Sequence, residues 1–168
     1  ADGLRDLSSG IQSLRKDADS AIATTVGQIN DLLTTISGLN AQIVSGQGDA
    51  ASLADARDTA MTSLASLIGV TSYEDASGRL NVYTTTGQQL VGDAASVLGF
   101  STSAVSTATS YPDSLSGVTL NGRDVTSSLT TGELGGLYQA RDGVLGGFLD
   151  SLDDFAPTLV FEFNKVAL

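Results

Sequence analysis

The sequence of 168 residues contains no cysteine and no histidine. Without cysteine the chain has no disulfide framework and no thiol nucleophile, and without either residue the usual zinc sites cannot form. The absence of histidine also excludes histidine general bases and every serine–histidine triad. We therefore predict that the protein is not an enzyme, and that it uses no cofactor and no bound metal.

Positive charge is also scarce, since 8 Lys and Arg stand against 19 Asp and Glu, for a net charge of -11. The basic residues are scattered, so the basic face that nucleic acid requires is missing. No apolar run approaches the ~20 residues that cross a bilayer, and we expect no membrane partner. Charged residues make up 16% of the chain, against roughly 25% in typical soluble domains. A surface of this kind is easily desolvated against a neighbouring subunit.

A long amphipathic helix is predicted for residues 4–44, because apolar or small residues recur there at alternating steps of three and four. One lane, meaning a row of residues along one line of the helix surface, contains positions 4, 11, 18, 25, 32 and 39. The lane beside it shifts from positions 7, 14 and 21 to positions 22, 29, 36 and 43. At 1.5 Å per residue the helix would be roughly 60 Å long, so we expect an elongated molecule.

This helix is expected to be weak on its own. Gly10, Gly27 and Gly38 each disfavour it by up to ~1 kcal/mol relative to alanine. Between residues 20 and 54 the only charges are Asp31 and Asp49, so ion pairs along the helix contribute almost nothing. Packing against other elements or subunits must therefore hold it.

The rest of the chain alternates between helical and strand patterns. A second helix is predicted at about 50–68, a β hairpin at 70–74 and 80–84, a further strand at 88–91, a loop at 101–116, a second hairpin at 118–125 around Asn121-Gly122, and a third helix from 132 to the end, with a kink at Pro157.

These elements predict an α+β, mainly α, fold. We expect an elongated antiparallel bundle of three long helices with a small antiparallel β-hairpin insertion. Residues 1–69 and 132–168 would form a helical rod domain, and residues 70–131 the hairpin-rich insertion. The apolar stripe of the third helix still continues at Leu168, the last residue, so we expect the chain to be a fragment of a longer protein.

Two segments share the pattern L-x-x-A-R-D, one ending at Arg57-Asp58 and the other at Arg141-Asp142. We predict that both arginines lay their stems along the apolar stripe and pair with nearby acids or helix-end carbonyls. The two aspartates are alternatively exposed partners for neighbouring subunits. A catalytic Arg–Asp pair is disfavoured, because nothing near it in sequence could act as a nucleophile or a tuned base.

Several stretches, in order, resemble the flagellar hook-associated protein 1 family (FlgK). They are Gln28-Ile29-Asn30, Ile36-Ser37-Gly38-Leu39-Asn40-Ala41-Gln42-Ile43, Leu53 to Asp58, Gly78, Gly87, Leu90-Val91, Gly135-Gly136-Leu137, Arg141-Asp142, Leu152-Asp153 and Phe163-Asn164-Lys165. The positions that carry the motifs are Asn40, Gln42, Arg57, Asp58, Arg141, Asp142 and Asn164. Ala54 and Ala56 depart from the family's Leu-Leu-Asp-Gln-Arg-Asp.

The resemblance implies a structural subunit that joins the flagellar hook to the filament. It implies neighbouring copies in a ring, the hook protein and the second junction protein as partners, and it leaves room for an export chaperone. It also implies an extracellular location reached without a cleaved signal peptide. The family has heptad-rich segments at both ends, so we expect this chain to be a central fragment lacking both.

Three alternatives remain at the level of sequence. One is another axial flagellar protein, such as the second junction protein or a flagellin. The second is a carbohydrate-acting enzyme with paired carboxylates, for which Glu133 and Asp153 are the acids to test. The third is a receptor-like helical hairpin. The acidic group Asp150, Asp153 and Asp154 is expected to be a solvated face, because it lacks the spacing of a calcium loop.

Overall fold

The structure is a computed structural model that describes residues 2–103, 115–145, 147 and 151. This part of the chain is mainly helical and carries two small antiparallel sheets. The helices are α1 at Asp2–Ser45, α2 at Ala50–Leu67 and α3 at Gly132–Tyr138. The strands are β1 at Val70–Glu74, β2 at Leu80–Thr84, β3 at Gln89–Val91, β4 at Leu98–Gly99, β5 at Thr119–Leu120 and β6 at Arg123–Asp124.

Helix α1 has 44 residues and confirms the predicted long helix. Its buried apolar side chains are Ile11, Ala18, Ile22, Val26, Ile29, Leu33 and Ile36. The expected lane through Leu7 and Leu14 is not buried, since these side chains are 51% and 54% exposed. The reason is that the described elements pack against the lane of Ile22 and Ile29.

Helix α2 turns back against the C-terminal half of α1. The link contains Gly46 and Gly48, both with positive φ, a conformation that glycine adopts without strain. Asp49 then caps α2, because its side chain accepts a hydrogen bond from the Ser52 backbone N–H at 3.1 Å. Helices α1 and α2 therefore form an antiparallel pair, and Leu64 of α2 is fully buried in the cluster that joins the helices to the sheets.

The β region contains two three-stranded antiparallel sheets, in the orders β1-β2-β3 and β4-β5-β6. The first hairpin lies at the predicted residues, with Ser72 opposite Val82. The expectation of one small hairpin insertion is too simple, because β4 at Leu98–Gly99 pairs with β5 and completes a second sheet. A strand of two residues has no detectable period, so the sequence could not reveal it.

The third helix begins at Gly132, as predicted, but it is not regular. After Tyr138 it continues as a π-helix at Gln139–Val144, a rare wide form. Its further course, including the predicted kink at Pro157, lies outside the described residues, and so do residues 104–114 of the predicted loop at 101–116.

The expected elongated antiparallel bundle of three long helices is matched only in part. The start of α3 meets the end of α2, since a Cβ built on Gly132 would lie 2.7 Å from the Leu67 carbonyl oxygen. Farther along, Arg141 bonds to Asp19 near the other end of α1. Within the described residues, α2 and α3 therefore pack on successive parts of α1.

One hydrophobic cluster joins the helices to both sheets. It includes Ile29 of α1, Leu64 of α2, Val82 of β2, Leu120 of β5 and Leu134 of α3. The division into a rod at 1–69 and 132–168 and an insertion at 70–131 stays a prediction.

Two neighbouring glycines of α3 give a matched test of this packing. A Cβ on Gly135 would lie 2.4 Å from the Thr130 backbone carbon, whereas a Cβ on Gly136 meets nothing within 4 Å. We expect Gly135→Ala to lower the unfolding free energy, because the backbone cannot move aside easily. Gly136→Ala should raise it by up to ~1 kcal/mol through helix propensity. Urea unfolding of both variants measures the difference, and equal effects would contradict the close approach at Gly135.

The turn between β1 and β2 is organised by Asp75. Its Oδ1 accepts hydrogen bonds from the Ser77 backbone N–H at 2.9 Å and the Arg79 backbone N–H at 3.2 Å. The Asn81 amide donates to its Oδ2 at 3.2 Å. The hydrogen bond from the Ser77 hydroxyl, together with those from Asn81 and the two backbone N–H groups, outweighs the opposing effect of burial and lowers the pKa of Asp75 from 3.8 to about 2.

This carboxylate should make the turn acid-sensitive. Because the folded pKa is the lower one, Asp75 contributes to stability above pH 3.8, and the contribution is lost as the pH falls through about 2. A carbon NMR titration of the Asp75 carboxyl should therefore give a midpoint near 2. In Ser77→Ala the midpoint should move up toward 3.8, and an unchanged midpoint would contradict the assigned cause.

Candidate functional site

The first candidate site surrounds Arg57, which is only 4% exposed although it carries a charge. Its Nη1 donates to the Asn40 Oδ1 at 2.9 Å and to the Gly78 carbonyl oxygen at 2.7 Å. Its Nη2 forms an ion pair with Glu74 at 2.5 Å. We call Arg57, Asn40, Glu74 and Gly78 the first arginine cluster. It connects both long helices to the hairpin β1–β2.

Asn40 extends this cluster through a pair of hydrogen bonds to one strand residue. Its Nδ2 donates to the Leu80 carbonyl oxygen at 2.8 Å, and the Leu80 N–H donates to its Oδ1 at 3.0 Å. The side-chain amide therefore pairs with Leu80 as a neighbouring strand would. This contact fixes the position of β2 relative to α1.

Asn30 does the same for the second sheet. Its Nδ2 donates to the Leu98 carbonyl oxygen at 2.9 Å, and the Leu98 N–H donates to its Oδ1 at 2.8 Å. Asn30 and Asn40 are thus two asparagine clamps on one helix, each holding one sheet. The paired bonds need a donor and an acceptor at this reach, so aspartate would lose the donor, and glutamine, which has both atoms, is one methylene too long to keep them in place.

The second candidate site surrounds Arg141, whose side chain is fully buried. Its Nη1 donates to the Asp19 Oδ1 at 2.6 Å, and its Nη2 to the Ser116 carbonyl oxygen at 2.9 Å. Asp142 takes a bidentate pair of bonds, at 2.7 Å from Nε and 3.0 Å from Nη2. The Tyr138 ring lies 4.9 Å from the guanidinium carbon. Arg141, Asp19, Asp142, Ser116 and Tyr138 form the second arginine cluster.

Asp19 and Arg15 tie this cluster to α1. The Asp19 Oδ2 accepts a hydrogen bond from the Ser103 backbone N–H at 2.9 Å. The Arg15 Nε donates to the Arg141 carbonyl oxygen at 3.0 Å. Both side chains are buried, so the N-terminal half of α1 is held by charged groups as well as by apolar ones.

The hydrogen bonds of this cluster keep the guanidinium of Arg141 charged. Burial alone would lower the pKa of Arg141, but its hydrogen bonds to Asp142 and Asp19 outweigh burial and raise that pKa. Burial raises the pKa of Tyr138, so its hydroxyl stays protonated. The Arg141 guanidinium and the Tyr138 hydroxyl therefore both keep their protons near neutral pH, and the contacts of Arg141 connect α1, the segment at Ser116 and the π-helical segment.

The structure brings together four of the sequence-predicted residues in two pairs. Asn40 binds Arg57, and Arg141 binds Asp142. Asp142 is therefore engaged within the chain, whereas Asp58 and Gln42 lie exposed on their helices. Asn164 lies outside the described residues.

Sequence reasoning did not single out Asp19 and Arg15. A signal was present, because both lie in the buried lane of α1 between Ile11 and Ile22, four residues apart. A pair of opposite charges at that spacing within an apolar stripe indicates a buried polar cluster. Glu74 was also missed, since its role depends on a contact with Arg57 across 17 residues.

The described residues offer little to the alternative functions. Among them, no group of three or more acidic residues could hold a metal ion. In the same part of the chain no helix has both the length and the apolar character of a membrane span. Of the two acids named for the carbohydrate-acting alternative, Glu133 lies exposed in α3, whereas Asp153, like Asp150 and Asp154, lies outside the described residues.

Comparisons with known proteins agree with the fold. The family model of the flagellar hook-associated protein FlgK helical domain matches residues 1–167. A solved structure, the flagellar hook junction protein FlgK from Burkholderia pseudomallei, is 32% identical with a TM-score of 0.64. The similarity covers 82% of this chain and 26% of that chain, so this chain spans just over a quarter of its length. No curated protein matches.

The long helix with its attached sheets, the match over residues 1–167 and the 32% identity agree with one another. We conclude that the chain belongs to the FlgK family of flagellar hook-associated proteins, which are structural components of the bacterial flagellum, and that it corresponds to the family's helical domain.

Proposed function

We propose that the protein is a structural, non-catalytic subunit at the junction between the flagellar hook and the filament. It would be exported without a cleaved signal peptide and assemble outside the cell, beside copies of itself, the hook protein and the second junction protein. The match to the FlgK helical domain carries this proposal. The similarity to the Burkholderia protein, a flagellar hook junction protein, supports it.

The geometry supports a load-transmitting role. The arginine clusters and the asparagine clamps join α1 to α2, to both sheets and to the π-helical segment. Bonds of this kind have strict directions, so the helix and the sheets should move together as one body. A subunit that connects two different polymers needs such rigidity.

The exposed face of α1 supports contact with a neighbour. Between residues 20 and 45 its exposed side chains carry a single charge, Asp31. The other exposed residues there are Ser20, Thr24, Gly27, Gln28, Thr34, Thr35, Gly38, Ala41, Gln42, Val44 and Ser45. Such small and uncharged groups are readily desolvated in an interface.

A matched pair of threonines tests whether this face is used. Thr35 on α1 and Thr59 on α2 are both exposed, and each hydroxyl donates to the carbonyl of an aspartate four residues earlier. In the full-length protein, Thr35→Glu should abolish decoration of isolated hook ends in immunogold electron microscopy. Thr59→Glu should leave it intact. Binding of the parent protein only along filaments would contradict the junction function.

A further inference from the structure

Two tyrosines are stacked on one face of the first sheet. Tyr73 of β1 and Tyr83 of β2 have ring centres 5.9 Å apart and ring planes 11° from parallel. In the register of the hairpin, Tyr73 lies opposite Asn81, and Thr71 lies opposite Tyr83. The two tyrosines are therefore diagonal neighbours, and the pairing of β1 with β2 holds their rings together.

The two hydroxyl groups lie at the same end of the stack. A hydrogen bond with the Tyr83 hydroxyl is the largest cause that raises the pKa of Tyr73 above its ordinary value. Gln89 of β3 donates from its Nε2 to the Tyr83 hydroxyl at 3.3 Å, which holds this ring from the next strand. Because each Cε carbon is bonded to the carbon that carries the hydroxyl, Cε carbons of the two rings are also brought close to each other.

The composition leaves tyrosine as the main side chain that an oxidant can attack. Cysteine and methionine are readily oxidised, but the chain has no cysteine, no tryptophan and one methionine. Of its 4 tyrosines, Tyr138 is only 6% exposed, and Tyr111 lies outside the described residues. Tyr73 is 55% exposed, so an oxidant in solution can reach it and, through the stack, its neighbour Tyr83.

We propose that Tyr73 and Tyr83 form an oxidative cross-linking site, at which a one-electron oxidant joins the two rings into a dityrosine. The oxidant, a haem peroxidase with hydrogen peroxide, removes one electron and one proton from each hydroxyl and leaves two phenoxyl radicals. The radicals combine through a new bond between their Cε carbons, and the hydrogen on each of these carbons then moves to the oxygen of its own ring. Two hydrogen atoms are lost in total, and they reduce one hydrogen peroxide to two water molecules.

The link would fasten an edge strand to the sheet. Among the described residues β1 has one partner strand, β2, and none on its other side. The ion pair of Glu74 with Arg57 also ties β1 to α2. A dityrosine adds a covalent connection between β1 and β2. This inference does not rest on the junction function, so either of the two can fail without the other.

Oxidation of the full chain with a haem peroxidase and hydrogen peroxide tests the site. We expect monomeric protein that has gained dityrosine fluorescence and lost the mass of two hydrogen atoms, with a yield per molecule that does not change on dilution. Tyr73→Phe and Tyr83→Phe should each abolish this product, whereas Tyr111→Phe should keep it. Trypsin cuts after Arg79, between the two tyrosines. In a digest of oxidised Tyr111→Phe protein, the link should therefore join the peptide of Tyr73 to the peptide of Tyr83.

Moving one tyrosine by a single residue gives a matched control. Ser72 is exposed and adjacent to Tyr73, but successive side chains of a strand point to opposite faces. The double variant Ser72→Tyr, Tyr73→Phe keeps the number of tyrosines and should lose the monomeric link. An equal yield from this variant would overturn the proposal, because nearness in sequence would then suffice without the stack. Links that form only between molecules, or a monomeric link that persists in Tyr83→Phe, would also overturn it.

Discussion

Replacing Asp19 by alanine is expected to lower the free energy of unfolding by about 3–5 kcal/mol. Asp19 and Arg141 form an ion pair at 2.6 Å with side chains 2% and 0% exposed. Removing the carboxylate leaves a buried guanidinium with fewer acceptors and leaves the Ser103 N–H without its acceptor. Asp142 still holds Arg141, so the lower part of this range is the expected value.

Denaturant unfolding of the variant, followed by circular dichroism, gives this number. Asp17→Ala is the matched control, because Asp17 lies two residues earlier on α1 and is exposed. We expect it to change stability by less than about 0.5 kcal/mol. Equal effects of the two substitutions would show that the second arginine cluster does not hold α1.

A double-mutant cycle measures the interaction energy between Asp19 and Arg141 apart from the other contacts of each residue. Arg141→Met removes the charge and keeps an apolar stem, so in the double variant neither charge is left buried alone. The double variant should therefore be less destabilised than the sum of the two single variants. Strict additivity would contradict a direct interaction between Asp19 and Arg141.

Asn40→Ala is expected to have the second largest effect, on the order of 3 kcal/mol. The substitution leaves the Leu80 N–H and the Leu80 carbonyl oxygen without their partners, and it also removes one hydrogen bond of Arg57. Each polar group left without a partner in the interior opposes folding by about 1–3 kcal/mol. Arg57 keeps its bonds to Gly78 and Glu74, which limits the loss.

Two further variants check the clamp itself. Gln42→Ala, at an exposed position two residues later on α1, should change stability by less than about 0.5 kcal/mol. Asn40→Asp keeps the acceptor for Leu80 and Arg57 but loses the donor to the Leu80 carbonyl, so its effect should be smaller than that of alanine. An Asn40→Ala variant with an unchanged free energy of unfolding would contradict the role of the clamp in holding β2.

Much of the fold could be predicted from the sequence, because its elements have strong local periods. The helix at 4–44 was found as Asp2–Ser45, and the strands at 70–74 and 80–84 lie where they were expected. The π-helical segment was not predicted from the sequence, because it differs from an α-helix only in that each hydrogen bond spans five residues instead of four. Strand β4 depends on Asn30, 68 residues away, and local patterns do not contain that contact.

The candidate site was predictable only in part. The repeated Arg-Asp pattern led to Arg57 and Arg141, because an arginine in an apolar stripe must find partners. Which partners it finds is a question of tertiary structure. Asp142 is next to Arg141 in sequence and binds it, whereas Asp58, in the same position of the repeat, is exposed and Arg57 uses Glu74.

The central claim is that α1 has little stability of its own and is held by its packing, its clamps and its arginine clusters. Three glycines of α1, Gly10, Gly27 and Gly38, have nothing within 4 Å of the place where a Cβ would stand, so packing does not require them. They weaken the helix when it is alone. The most direct test is the circular dichroism of a peptide spanning residues 2–45, compared with the whole chain. We predict that the isolated peptide is mostly non-helical, and a peptide as helical alone as it is in the folded protein would contradict the account.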